Sequence, residues 1–178
     1  MDSINQNQPE ENREDLFSGE AVERIKEMVK KAETCFFNTS PENAQQHGTR
    51  PMNVLDTDEA GNLWFLSASD SRKNKEIEAD STVKLFFQGS KHSDFLYITG
   101  TAKISKDKDK ISKLWNPILK TWFTEGENDP RITVIQFIPE EGYYWDNKHG
   151  NAIAGIKILI GAAIGKTLDD SIEGDLKV

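Results

Sequence analysis

Between Val22 and Ala32 the apolar positions fall at Val22, Ile25, Met28, Val29 and Ala32, three and four residues apart. That spacing lines one face of a helix. Ser18 stands where it can cap the helix, and Glu20 lies in the first turn, where a carboxylate meets the positive end of the helix dipole. From Thr34 onward the period changes. Short β-prone runs follow at 34–39, 50–55, 62–67 and 82–87, and longer ones at 95–105, 132–138 and 142–146. The sequence Asp58-Glu59-Ala60-Gly61-Asn62 is rich in turn formers, so the second and third runs are expected to pair as an antiparallel hairpin.

Two helices interrupt the strands. A short one after Ser71 carries Ile77 and Ala79, and a longer one after Asp107 has Ile111, Leu114, Trp115 and Ile118 on one side, with Pro117 set to kink or divide it. The apolar stretch 151–166 contains three glycines that weaken both helix and strand, and it is expected only to be packed. Residues 1–16 are dominated by amides and charges and read as a disordered lead to a single domain at 17–178. A chain of 178 residues with six or seven short strands suits one β-barrel.

Composition narrows the partners. The net charge is −8, which opposes nucleic acid and anionic lipid, including the oligonucleotide-binding kind of barrel. The run 153–164 is too short for a bilayer span, which needs about 20 apolar residues. The N-terminus lacks the basic start and apolar stretch of a signal peptide, and the single Cys35, in an apolar run, reads as a buried inert thiol; a cytoplasmic location is expected. His47, His92 and His149 stand apart from each other and from Cys35, so no metal site is expected. No nucleophile triad, Walker-type pattern or Rossmann glycine pattern is present.

The stretch Leu63-Trp64-Phe65-Leu66-Ser67-Ala68-Ser69-Asp70-Ser71-Arg72-Lys73 carries the candidate chemistry. A strand ends in hydroxyls and opens a helix bearing two adjacent cations, a combination that suits a phosphate group. A solvated Ser-rich loop with an Arg-Lys pair fits the same pattern about equally well on its own. Arg50, at the head of Arg50-Pro51-Met52, is expected to approach Ser67 if their strands pair.

The order of these elements resembles the flavin-binding split-barrel family that includes pyridoxamine 5′-phosphate oxidase. The residues that carry the likeness are the Arg-Pro-Met strand, Leu63-Trp64-Phe65-Leu66-Ser67, Ser71-Arg72-Lys73, Val83-Lys84-Leu85-Phe86-Phe87 and Tyr97-Ile98-Thr99-Gly100-Thr101-Ala102. The chain is more similar still to the bacterial general stress protein branch, through Leu114-Trp115-Asn116-Pro117, Trp122-Phe123, Asp129-Pro130 and Tyr144-Trp145-Asp146. The resemblance implies a mainly β fold with flanking helices, a six-stranded antiparallel split β-barrel that forms a homodimer with FMN between the subunits. By position, it implies that Arg50, Pro51, Met52 and Asn53 line the flavin, that Leu66 and Ser67 meet the ribityl chain and phosphate, and that Arg72 and Lys73 hold the phosphate.

Two departures bear on activity. Where the family oxidase has a flavin-contacting glutamine, this chain has Phe95, and no arginine follows Arg131 to grip a pyridoxal phosphate. Oxidation of vitamin B6 is disfavoured accordingly. His149 sits in a turn-like sequence and reads as structural, and Trp115, Trp122 and Trp145 read as core or interface residues. An FMN-dependent oxidoreductase of unknown substrate is the expected activity, with a flavin-binding or flavin-sensing stress protein without turnover as the alternative.

Overall fold

The strict alternation in 82–88, with Val83, Leu85 and Phe87 buried and Lys84, Phe86 and Gln88 turned outward, sets the two faces of the sheet. The computed structural model describes residues 11–40, 47–91, 93–149, 157, 159 and 170–178. In chain order the elements are β1 (Leu16–Phe17), α1 (Gly19–Ala32), β2 (Thr34–Thr39), β3 (Thr49–Asn53), β4 (Asp56–Thr57), β5 (Leu63–Ala68), α2 (Arg72–Ala79), β6 (Thr82–Gln88), β7 (Phe95–Ser105), α3 (Lys108–Leu114), β8 (Ile132–Asn147) and β9 (Ser171–Lys177). Two 3-10 turns, Pro117–Thr121 and Gly126–Asn128, connect α3 to β8.

The sheet runs β1-β9-β8-β7-β6-β2-β3, with β5 also on β8 and β4 on β5. Every pairing is antiparallel except that of β1 with β9. The mainly β fold with flanking helices is as expected; where six antiparallel strands were expected, the described residues form a nine-stranded mixed sheet. The two expected strands 132–138 and 142–146 are one strand, β8. Its register against β7 shifts between Thr99 and Gly100, so that Thr99 faces Glu141 and Gly100 faces Pro139. This bulge accommodates Pro139, which has no N–H to give the ladder. Gly100 is needed there, since a Cβ would lie 2.0 Å from the Ile138 carbonyl oxygen.

The expected hairpin forms, but with a different partner. The 58–62 turn joins β5 to the two-residue β4, whereas β3 pairs with β2. Val54 and Leu55 break the run because their N–H groups turn to the carbonyls of Glu33 and Trp64.

The main core joins Ile25, Met28 and Val29 of α1 to Phe37, Leu63, Phe65, Leu85, Ile98, Ile135, Phe137 and Tyr144 of the sheet. Phe37 and Phe65 meet edge to face at 5.3 Å. Burying each large apolar side chain contributes roughly 1.5–3 kcal/mol, which holds α1 on the sheet. A second cluster packs Ile111 and Leu114 of α3 against Leu66, Ile132 and Val134. Pro117 does divide the expected helix; α3 stops at Leu114 and Asn116 caps the following turn. Ile118 is exposed rather than packed with Ile111 and Leu114.

Two further expectations are corrected. Ser18 makes no side-chain cap; it adopts φ 50° and its carbonyl accepts from Val22 N–H. Residues 12–17, which take in the end of the expected disordered lead, run along β9, where Glu14 N–H donates to Glu173 O at 2.9 Å, Glu173 N–H donates to Asn12 O at 2.8 Å and the Tyr144 hydroxyl donates to Glu14 O. Residues 1–10 lie outside the described residues. So does the 151–166 stretch, apart from Lys157 and Leu159. Strand β9 went unexpected because only Ile172 and Leu176 mark it as apolar; Gly174 lets Glu14 pass so close that a Cβ would meet its carbonyl oxygen at 1.9 Å.

Candidate functional site

The junction of β5 and α2 builds a polar network from buried neutral groups. Ser67 ends β5 facing inward and its hydroxyl donates to Asn74 Oδ1 at 2.7 Å. The Asn74 amide in turn donates to Thr133 Oγ1 at 2.8 Å, and Thr133 donates to Ser67 O at 3.0 Å. Ser71 caps α2 by accepting from Asn74 N–H. Ser67, Asn74 and Thr133 are each at most 2% exposed, so this triangle fixes the strand end against the helix start.

Lys73 reaches into this network and donates to Ser67 Oγ. Its ammonium makes no ion pair among the described residues. Burial, and then the nearby Arg50 guanidinium, push its pKa down to about 8, against a smaller pull from Glu76. Arg72, the first residue of α2, is exposed.

Arg50 is placed differently from the expectation. It does not approach Ser67 through strand pairing, because Arg50 faces Phe37 on β2 while Ser67 faces Thr133 on β8. Its Nη2 donates to Glu76 Oε2 at 2.7 Å and its Nη1 to Thr39 Oγ1 at 2.9 Å. Thr39 also donates to Glu76 Oε2. Burial by itself would raise the Glu76 carboxyl; the bonds from Thr39 and Arg50 hold it below its ordinary value. Lys73 is the link, with Ser67 on one side and the Arg50–Glu76 pair on the other. Of the remaining predicted positions, Leu66 is buried in the second cluster, Met52 packs on the main core, and Pro51 and Asn53 are exposed on the edge strand β3.

Thr39, Asn74, Glu76 and Thr133 were not singled out from the sequence. A signal exists for two of them. Asn74 and Glu76 flank the same helix face as the buried Ile77, and polar residues on the buried stripe of a short helix demand partners.

Beside this network, the outer face of the sheet is aromatic. Pro51, Phe36, Phe86, Tyr97 and Tyr143 stand side by side across β3, β2, β6, β7 and β8, and Phe95 faces Trp145 in the parallel row. Phe36 is 59% exposed, Trp145 44% and Phe86 43%. A groove of about 510 Å³ runs between Phe86, Tyr97, Phe95, Trp145 and Lys84, and a second of about 320 Å³ lies between Phe36, Pro51, Phe86 and Phe95. Phe95 thus adds an apolar ring to both grooves.

Other polar groups are accounted for by packing. Cys35 is buried and its pKa is pushed up to about 12 by that burial. His149 donates or accepts through Nδ1 at 2.7 Å from Asp170, which closes the junction into β9. Asp94 and Asp146 are buried beneath α1 and meet Lys31 at 2.8 and 3.8 Å. No cluster of three metal-ligating side chains and no helix long and apolar enough to cross a membrane occurs among the described residues.

The sequence profile of the family described as "Pyridoxamine 5′-phosphate oxidase like" matches residues 20–169. The chain belongs to the pyridoxamine 5′-phosphate oxidase-like family. A curated relative, Protein bli-3 of Neurospora crassa, is 32% identical over 97 residues, which is 49% of this chain and 46% of that protein, so the chain spans about half the length of the relative it matches. Solved structures in this family share the fold. A general stress protein 26 from Jannaschia sp. CCS1 matches with TM-score 0.70 and 19% identity, covering 88% of this chain and 98% of that one. The general stress protein 26 of Bacillus anthracis str. Sterne matches at 0.60 and 24%, covering 69% and 92%. A general stress FMN/FAD binding protein from Xanthomonas citri matches at 0.58 and 20%, covering 68% and 84%.

Proposed function

We propose that this pyridoxamine 5′-phosphate oxidase-like chain binds FMN, with the phosphate at the β5–α2 junction on Lys73, Arg72 and Ser67. Arg50, Pro51, Met52, Asn53 and Leu66 then border the flavin. The observation that carries this reading is the Lys73 ammonium. It is drawn into a largely desolvated polar network with a hydroxyl, and no carboxylate, as its hydrogen-bond partner. An unpaired cation in such a place is costly by itself and is stabilised by an incoming anion.

The residues present fit the group. A phosphate meets two cations, a serine hydroxyl and the start of a helix, and a planar ring finds the adjacent aromatic face of Phe36, Phe86 and Tyr97. A face with this many exposed rings marks an interaction surface, which supports a homodimer that encloses the flavin. When bound, FMN supplies the electron transfer, and the chain supplies orientation and a dry surface. We assign the protein as an FMN-dependent oxidoreductase of unresolved substrate. The grooves of the aromatic face are lined mainly by rings, with Lys84 the one charged side chain in their described lining, which favours a second reading, a flavin-binding or flavin-sensing stress protein without turnover.

The test is an absorption spectrum of the protein as purified, followed by titration with FMN. A bound-flavin spectrum, or quenching of FMN fluorescence on titration, supports the site. Colourless protein that leaves FMN fluorescence unchanged refutes it. Steady-state oxidation of NADH or NADPH by the FMN-loaded protein then separates the two readings.

A further inference from the structure

Glu76 is the buried group whose chemistry the flavin reading leaves unused. Its side chain is 4% exposed, and one oxygen, Oε2, takes both of its hydrogen bonds, from Arg50 and Thr39. The other oxygen, Oε1, is buried and has no hydrogen-bond partner among the described residues. A carboxylate oxygen in that state is normally costly. Here it is attracted through space by the cations that share its helix, Arg72 and Lys73, one turn and three residues away. The cluster therefore holds three cations, Arg50, Arg72 and Lys73, and one carboxylate.

Arg50 has already spent both terminal nitrogens, on Glu76 and Thr39. Turning it toward a phosphate would break an ion pair that is nearly out of water and leave the carboxylate there alone, which is more costly than the pair itself. Lys73 has no such commitment. We propose that Glu76 is a positioning residue and the built-in counter-ion of the cradle, neutralising Arg50 and holding it as a strut so that Lys73 takes a terminal phosphate group. This rests on the reading of the β5–α2 junction as a phosphate cradle, and it adds to Arg50, which borders the flavin in that reading, the part of a support for Lys73.

The consequence is a defined electrostatic coupling. Lys73 is faced by the charges of Arg50 from β3 and Glu76 from α2, and by the neutral hydroxyl of Ser67 at the end of β5. Glu76 favours its charged form and Arg50 disfavours it. Removing either partner moves the titration of Lys73 in opposite directions, a pattern that general damage to the fold does not produce.

The experiment uses the full chain and the variants Glu76→Gln, Arg50→Gln and Glu76→Asp. Competitive labelling with acetic anhydride, read by mass spectrometry of the Lys73 peptide, gives the titration midpoint in ligand-free protein. The wild type is expected near 8. Glu76→Gln moves it down and Arg50→Gln moves it up, each by about one pH unit, and Glu76→Asp restores the wild-type value. FMN titrations between pH 6.5 and 9.5 follow: affinity falls up to about tenfold per pH unit above the same midpoint in each variant. Labelling midpoints that do not move, or that move the same way in both charge-removing variants, overturn the counter-ion role. A wild type that labels as expected but never binds FMN refutes the flavin reading and leaves the counter-ion role standing.

Discussion

Replacing Lys73 by Met separates binding from stability. The ammonium sits in a network of neutral groups, and its folded pKa of about 8 lies below the ordinary 10.5. A group depressed in this direction binds fewer protons in the fold than in the unfolded chain between those two values. Stability therefore rises with pH across that window, and the whole penalty is present below about pH 8. At 1.36 kcal/mol per pH unit the gap amounts to about 3 kcal/mol, which partial exposure of the side chain reduces to about 1–2 kcal/mol. Lys73→Met keeps the length and apolar stem of the side chain and removes the charge, and Ser67 retains Asn74 as its acceptor. The variant is expected to be more stable at pH 7 by about 1–2 kcal/mol, a rise in melting temperature of roughly 2–8 °C. Its FMN affinity is expected to fall by at least about tenfold, since a charge-assisted hydrogen bond contributes about 1.5–3 kcal/mol. Urea unfolding at pH 7 and pH 10 measures the first effect, and FMN fluorescence quenching the second, with riboflavin as the ligand that lacks the phosphate. The opposite outcome, a less stable variant that binds FMN as tightly as before, would show that Lys73 is a structural strut and that the phosphate lies elsewhere.

Phe86→Asp places a carboxylate in the centre of the exposed aromatic face; if the proposed homodimer closes over that face, the far-ultraviolet circular dichroism is retained while the mass by sedimentation drops from that of two chains to that of one, and a wild type already of one-chain mass, or a variant still of two, would refute that dimer. Gly174→Ala puts a methyl against the Glu14 carbonyl, so residues 11–16 should become a site of limited proteolysis while the β7–β8 core stays protected from hydrogen exchange; resistance equal to wild type counts against the pairing of β1 with β9. In the buried acid pair, burial raises Asp146, and bonds from Lys31 and Ser93 outweigh burial to hold Asp94 down at about 2. The Asp94 contribution is present above its ordinary value of 3.8 and lost as pH falls toward 2, whereas the Asp146 contribution is lost as pH rises. Asp146→Asn, which keeps Oδ1 as the acceptor for Asn147 N–H but removes the charge that Arg24 meets at 3.2 Å, should unfold at the same or a higher urea concentration than the wild type at pH 7, and that advantage should shrink as pH falls toward about 4, where the wild-type Asp146 takes up its proton; an advantage that grows on acidification would contradict this.

Much of the local structure was legible along the chain because it depends on nearest neighbours. The 3.6-residue stripe gave α1, runs of β-prone residues gave β2, β5, β6 and β7, and hydroxyls followed by Arg72 and Lys73 marked the start of α2 beside a strand end. Matching those elements in order to a known family needed no coordinates. The strand partners did not follow from the chain alone. Arg50 was expected beside Ser67 through a hairpin, but Val54 and Leu55 give their N–H groups to Glu33 and Trp64, and β3 is left to pair with β2. Strand β9 carries too few apolar residues to announce itself; it exists because β8 extends far enough to offer it an edge.

The sequence by itself determined the helical stripe of α1, most of the strand segments, and the meeting of hydroxyls with Arg72 and Lys73 where β5 gives way to α2, because these follow from spacing and side-chain type. Only the tertiary structure decided what each charge faces. Thr39, Arg50 and Glu76 come from three elements, and their ion pair exists because α2 packs against the edge formed by β2 and β3. Coulomb attraction and desolvation depend on distance through space and on burial, and neither quantity is written in the order of residues.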